Sequence, residues 1–169
     1  MTDSRNILLI VSGGIAAYKA LDLIRRLDER QIGVQCILTA AGSKFVTPLS
    51  LSALSGKKVY TDLFSLTDEQ EMGHIRLSRE ADLVVVAPAT ANLIAKAANG
   101  IGDDLASTVL LAADKPVLFV PSMNARMWKH PATQRNLGQL VQDGAQFLPP
   151  NDGDLACGEI GTGLSLIHI

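Results

Sequence analysis

Four aliphatic runs, Ile7–Val11, Val34–Leu38, Asp82–Ala87 and Val117–Val120, each stop at a turn of small residues, with segments of helical period between them. Runs of Val, Ile and Leu without a polar alternation suit strands that are covered on both faces. The alternation predicts one domain built as a three-layer, doubly wound parallel α/β sheet. The segment after the first run carries Ala17, Leu21, Ile24 and Leu27 on one face. Further helices are expected over 47–54, from the 88–92 turn to Ala98, over 103–113, and over 131–142 with Leu137, Leu140 and Val141 inward. Short strands are expected at Val59–Tyr60 and 146–148, and the strand of the third run is expected to end at Pro88. The polar stretch 61–73 reads as a long surface loop. In open sheets of this kind ligands bind outside the carboxyl ends of the strands. The turns Ser12-Gly13-Gly14, 39–43, 88–92 and 121–124 should therefore line one crevice.

Composition narrows the function classes. Apolar residues make up 47% of the 169 residues but aromatics only 4%, so the core must be aliphatic. With 15 basic and 17 acidic residues and no block of either sign, charge gives no support to nucleic-acid or acidic-membrane binding. No apolar run approaches the ~18 residues of a membrane span, and the polar start of the chain reads as no signal peptide. Cys36 lies in an apolar run and Cys157 in a Gly-rich stretch, which is neither a disulfide framework nor a metal-ligand spacing. A reducing, cytoplasmic location is the natural default.

The turns hold the candidate chemistry. Gly13 and Gly14 let backbone N–H groups approach a ligand at a helix start, either for an anion or simply as a tight turn. Ser-Gly-Gly lacks the spacing of the dinucleotide fingerprint. Thr90 and Asn92 serve either to cap the following helix or to bind a phosphate on its amino end. The stretch Pro121-Ser122-Met123-Asn124-Ala125-Arg126-Met127-Trp128 gathers an asparagine, two methionines and the only tryptophan at the end of a strand. It reads as the edge of a reaction pocket or as a core plug made by Met and Trp. Cys36 reads as a small core residue, and His130 as an exposed helix start.

Taken together, Ser12-Gly13-Gly14-Ile15-Ala16-Ala17-Tyr18-Lys19, His74, Pro88-Ala89-Thr90-Ala91-Asn92, the Pro121–Trp128 stretch and Ala156-Cys157-Gly158-Glu159-Ile160-Gly161-Thr162-Gly163 resemble the homo-oligomeric flavin-containing cysteine decarboxylases. The resemblance covers about residues 5–163. It implies a Rossmann-like flavoprotein that uses FMN to decarboxylate (R)-4′-phospho-N-pantothenoylcysteine to 4′-phosphopantetheine in coenzyme A biosynthesis. The implied route is oxidation of the substrate's cysteine side chain to a thioaldehyde, loss of carbon dioxide, and re-reduction of the enethiol. By resemblance His74 is the base, Asn124 orients the substrate carboxylate, and Cys157, beside Ala156 in the substrate site, protonates the enethiol. FMN contacts carry over to Gly13, Gly14, Ile15, Thr39, Ser43, Thr90, Ala91, Asn92 and Ser122. The family also implies a homo-oligomer, a trimer or dodecamer, with Met127, Trp128 and Phe45 facing a neighbour.

The segment from Pro149 onward reads as a flap over the substrate. Residues 164–169 depart from the family pattern and read as a non-native tail after a domain of residues 1–163, with no ligase half. Three other readings share part of the pattern. A peptide-cysteine decarboxylase of lantibiotic maturation would release its enethiol unreduced and has no need of Cys157. A non-enzymatic flavin-binding phosphatase regulator would carry a long acidic tail, and a flavin prenyltransferase lacks the P-x-M-N-x-x-M-W stretch.

Overall fold

The computed structural model describes residues 5–63, 73–154 and 160–164. Strands β1 (Asn6–Val11), β2 (Gly33–Leu38), β3 (Val59–Tyr60), β4 (Leu83–Ala89), β5 (Val117–Pro121) and β6 (Gln146–Phe147) form one six-stranded sheet in the order β3-β2-β1-β4-β5-β6. Every pairing in it is parallel. The order turns back between β1 and β4, which is the switch point where doubly wound sheets bind their ligands.

Side chains alternate between the faces of a strand, and β1 shows how both faces are covered. Leu8 and Ile10 join Val84, Val86 and Phe119 in one core, against Leu93 and Ile94 of α4 (Ala91–Ala98), Val109 of α5 (Leu105–Ala112) and Leu137 of α7 (Pro131–Gln142). Leu9 and Val11 join Cys36, Leu38 and Val85 in the other, against Ala20 and Ile24 of α1 (Lys19–Asp28) and Leu51 of α2 (Pro48–Ser55). The continuous aliphatic runs therefore belong to strands sandwiched between two helical layers, as the sequence predicts.

The structure departs from or adds to the local expectations at four points. β4 does not stop at Pro88 but runs on to Ala89, through a cis Ala87–Pro88 bond. Pro88 has no N–H for a ladder, and the register against β5 shifts between Val86 and Ala89 before closing again at Ala89 and Pro121. In α7 the buried stripe runs through Thr133, Leu137 and Leu140, and Val141 falls beyond its edge and is exposed. Two short helices were not foreseen, α3 (Gly73–Arg79) and α6 (Ala125–Lys129). The stretch after Pro149, read as a flap, contains two antiparallel strands, β7 (Asn151–Asp154) and β8 (Ile160–Leu164), and β8 packs against α6.

Cys36 is fully buried, as expected of a small core residue. Burial pushes its thiol from 9.0 up to about 12, more than a hydrogen bond from Ser55 and the nearby Lys57 charge can offset. Below pH 9 the thiol is protonated in folded and unfolded chain alike. From pH 9 towards 12 only the unfolded chain loses the proton, so stability falls with rising pH by about 1.4 kcal/mol per unit from this group. In a Cys157→Ala background, Cys36 should resist a thiol reagent at pH 8 until denaturant unfolds the protein. Rapid labelling of the folded protein would contradict its burial.

Candidate functional site

At the carboxyl ends of β1, β2, β4 and β5 the loops enclose a cavity of ≈1270 Å³. Each FMN-contact candidate lines it: Gly13, Gly14 and Ile15 after β1, Thr39 and Ser43 after β2, Thr90, Ala91 and Asn92 after β4, and Ser122 after β5. Asn124 joins them. The expectation that four separate turns meet at one place is met by the geometry.

The turns after β1 and β2 are pressed together by missing side chains. A Cβ on Gly13 would stand 2.4 Å from Ala41 Cβ and 2.8 Å from its carbonyl carbon, and one on Gly42 would stand 2.7 Å from the Val11 carbonyl oxygen. Gly14 differs, because a Cβ there would meet no protein atom within 4 Å. Its backbone is extended, a conformation any residue adopts. Thr39 Oγ1 accepts from the Gly42 N–H at 3.0 Å, and the Ser43 hydroxyl donates to the Ala40 carbonyl at 2.7 Å, so the second turn is tied by its own hydroxyls.

Thr90 is the N-cap of α4, accepting from the Leu93 N–H at 3.3 Å. The capping reading is thus realised by Thr90, while Asn92 sits exposed in the first turn. Residues Ala91 and Asn92 open the helix with N–H groups that have no partner within it. Asn124 is the N-cap of α6. Its Oδ1 accepts from the N–H groups of Arg126 at 2.8 Å and Met127 at 3.2 Å, and two donors identify that atom as the amide oxygen. Trp128 packs against the core and Met127 is exposed at the cavity rim, so one of the pair is a plug and the other is not. Phe45 is also exposed. His130 caps α7 through Nδ1, which accepts from the Ala132 N–H at 3.1 Å, in line with an exposed helix start.

His74 is the second residue of α3, and its side chain is outside the described part of the structure. Ala156 and Cys157 lie outside the described residues.

Sequence reasoning gave no role at the site to four charged groups on the cavity wall, Lys19, Lys96, Asp103 and Asp104. Lys19 is buried, and loss of hydration draws its ammonium below the ordinary lysine value. Its only sequence signal was its place directly after the small residues Gly13, Gly14, Ala16 and Ala17 and Tyr18, at the first position of α1. Lys96 Nζ bridges Asp103 Oδ1 at 2.6 Å and Asp104 Oδ2 at 2.8 Å. The bond to Asp103, then that to Asp104, raises the Lys96 pKa. Burial alone would push Asp104 up, but the hydrogen bonds from Lys96 and Ser107 outweigh it and hold the carboxyl below its usual value. Asp104 also forms a capping box with Ser107 at the start of α5. Asp-Asp before an apolar helix could have signalled the cap, but no spacing signals the partner across the loop.

A family model described as Flavoprotein matches residues 1–165. The chain belongs to the Flavoprotein family. It is 49% identical over 163 residues to the coenzyme A biosynthesis bifunctional protein CoaBC of Bacillus subtilis (strain 168), an alignment that takes in 96% of this chain and 40% of that protein. The chain thus spans about 40% of the length of such relatives. Among solved structures it resembles a cysteine-to-serine mutant of PPC decarboxylase complexed with pantothenoylaminoethenethiol, with a TM-score of 0.85 and 33% identity over 96% of this chain and 91% of the other. It also resembles the FMN-dependent cysteine decarboxylase SpaF, with a TM-score of 0.82 and 33% identity over 93% and 89% of the two chains.

The two neighbouring glycines should respond differently to the same change. Gly13→Ala forces a methyl group into Ala41 and should lower stability by about 1–3 kcal/mol, as overpacking does. Gly14→Ala adds a methyl to open space and should unfold at the wild-type temperature. Thermal denaturation of both variants checks this, and equal losses would refute the close approach at Gly13.

Proposed function

We propose that this chain is an FMN-dependent decarboxylase that converts (R)-4′-phospho-N-pantothenoylcysteine to 4′-phosphopantetheine and carbon dioxide. The observation that carries the reading is the switch-point cavity, lined by every FMN-contact candidate, in a chain 49% identical to a CoaBC protein. At ≈1270 Å³ it exceeds the ~300–1,000 Å³ of a single drug-sized ligand, so a flavin and a substrate can lie side by side. The identity of 49% to CoaBC, against 26% to the peptidyl-cysteine decarboxylase EpiD, favours the small-molecule substrate over a peptide.

The donor set suits FMN. Open space over Gly14, the hydroxyls of the 39–43 turn and the opening amides of α4 offer a mixed apolar and hydrogen-bonding wall. When bound, FMN supplies a two-electron acceptor that returns the electrons before product leaves, so the conversion shows no net redox change. The protein's own task is to place the substrate and move protons. Asn124, with its amide plane fixed by the α6 cap, presents N–H donors to the substrate carboxylate and aligns it for loss of carbon dioxide. His74 takes a proton as the cysteine side chain is oxidised, a role suited to a group titrating near neutrality. Cys157 returns a proton to the enethiol. That a PPC decarboxylase lacking a cysteine was captured with an ethenethiol supports a thiol as this last donor.

The working form in this reading is a cytoplasmic homo-oligomer, a trimer or a dodecamer, with residues 1–163 as its catalytic domain. Ile15, Tyr18 and Met127 support it: they line the cavity yet remain largely exposed, as expected of a rim that a second copy covers. Among the described residues no helix is long and apolar enough to cross a membrane.

Incubation with phosphopantothenoylcysteine and FMN, with product detected by mass, tests the reading directly. The protein should purify yellow and release 4′-phosphopantetheine; a chain that binds FMN but makes no product would favour the regulator reading. Cys157→Ser should accumulate the decarboxylated enethiol, and normal turnover would remove Cys157 from its role. His74→Asn should keep its flavin and lose decarboxylation by at least ~10²-fold, the usual size of a general-base contribution.

A further inference from the structure

The hydrogen-bonded ladder between β1 and β4 ends at the pair Ile10 and Val86, yet the two chains stay together for several residues more. What joins them there is one side chain. Ser12, only 2% exposed, donates its hydroxyl proton to the Pro88 carbonyl at 2.6 Å and accepts from the Thr90 N–H at 3.2 Å, with Thr90 Oγ1 at 3.4 Å. On the opposite side of β4, the Ser122 N–H donates to the Ala89 carbonyl at 3.1 Å. The end of β4 is thus gripped from both neighbouring strands, by a hydroxyl on one side and a backbone amide on the other.

This grip sits directly before α4. Thr90 spends its N–H on Ser12 and its hydroxyl oxygen on capping Leu93, so the orientation of the first turn is set by two bonds that meet at one residue. The next two residues, Ala91 and Asn92, carry the opening amides that line the cavity. A hydroxyl is required for this arrangement because the site needs a donor and an acceptor in one small group, and a backbone N–H or C=O offers only one of them.

We infer that Ser12 is a positioning residue of the cofactor site: it fixes the 88–92 turn from β1, and so sets where the amides of Ala91 and Asn92 meet bound flavin. The inference rests on the reading of the cavity as an FMN site. Ser12 does its work through Thr90 rather than by chemistry of its own, so its loss acts on flavin affinity before it acts on the fold.

The test is a pair of variants of equal shape, Ser12→Thr and Ser12→Val, which differ only in the hydroxyl. FMN is titrated into the flavin-stripped full chain by fluorescence quenching, at a temperature where thermal denaturation shows each apoprotein to be folded. Ser12→Thr should bind FMN close to the wild type. Ser12→Val should raise the Kd by about tenfold, the usual worth of one buried hydrogen bond, and shift the visible bands of the flavin it retains. A Ser12→Val Kd equal to the wild type's overturns the inference alone, and so does an equal loss in both variants. Wild-type chain that takes up no FMN overturns the function proposed above, and this inference with it. Should the added methyl stop both variants from folding, Ser12→Ala, which adds nothing to the buried site, carries the same expected tenfold loss, and an unchanged Kd there is equally fatal.

Discussion

Strands β1 and β4 lie side by side, but the chain leaves them in opposite directions, and the site follows from that parting. After β1 it turns to the layer that holds Ala20 and Ile24; after β4 it turns to the layer that holds Leu93 and Ile94. Two helices departing to opposite faces cannot cover the sheet edge between them, so a crevice opens there by geometry alone. Such a gap exposes backbone groups that the ladder no longer satisfies, and buried carbonyl and amide groups left without partners are costly, about 1–3 kcal/mol each. Ser12 meets that demand with the smallest side chain that can both donate and accept. The hydroxyl that closes the sheet is therefore also a wall of the cavity.

The strands were legible in the sequence because a layer on each face leaves no polar position in β1 after Asn6, and Leu8, Leu9, Ile10 and Val11 are all fully buried. The turns were legible for a related reason: small residues such as Gly13 and Gly42 stand where two loops touch and any larger side chain would collide. Other features depend on contacts between distant residues, and these left weaker marks. Val141 carries the apolar character of an inward residue, but the stripe through Leu137 and Leu140 places it outside, which only the angle of α7 on the sheet decides. Helices α3 and α6 are too short to show a period, and although α6 is made mostly of good helix formers, its start is fixed by the Asn124 cap. The pairing of β7 with β8 joins segments with little strand character, held by backbone bonds and a hydrogen bond from Thr162 to Asp152.

The cavity wall mixes charges in a way that composition hides. An anionic ligand beside Asp103 and Asp104 would meet repulsion if both carboxylates stood bare. Lys96 reaches between them and takes both as hydrogen-bond partners, while Ser107 takes a further oxygen of Asp104 through the α5 cap. The acidic pair is spent on holding the 99–104 turn against α4 and α5. Lys19 stands elsewhere on the wall. Its lowered pKa comes from lost hydration, so a bound anion would restore what burial removed.

Asn124 shows that a structural explanation of a residue need not compete with a functional one. As a residue after a strand it could have been a plain turn former, and it does act locally: its oxygen takes two N–H groups and starts α6. That same bond pair fixes the plane of the amide, and with it the direction in which the nitrogen's protons point. An asparagine held only by a loop would have to be ordered each time a carboxylate arrived, at a cost in rotamer freedom. Here the cap has already met that cost during folding. The helix it starts packs against β8, so the strand that follows the Cys157 stretch is tied to the element that Asn124 begins. In the proposed reading, orientation of the substrate's carboxylate and placement of the last segment thus depend on one capped turn.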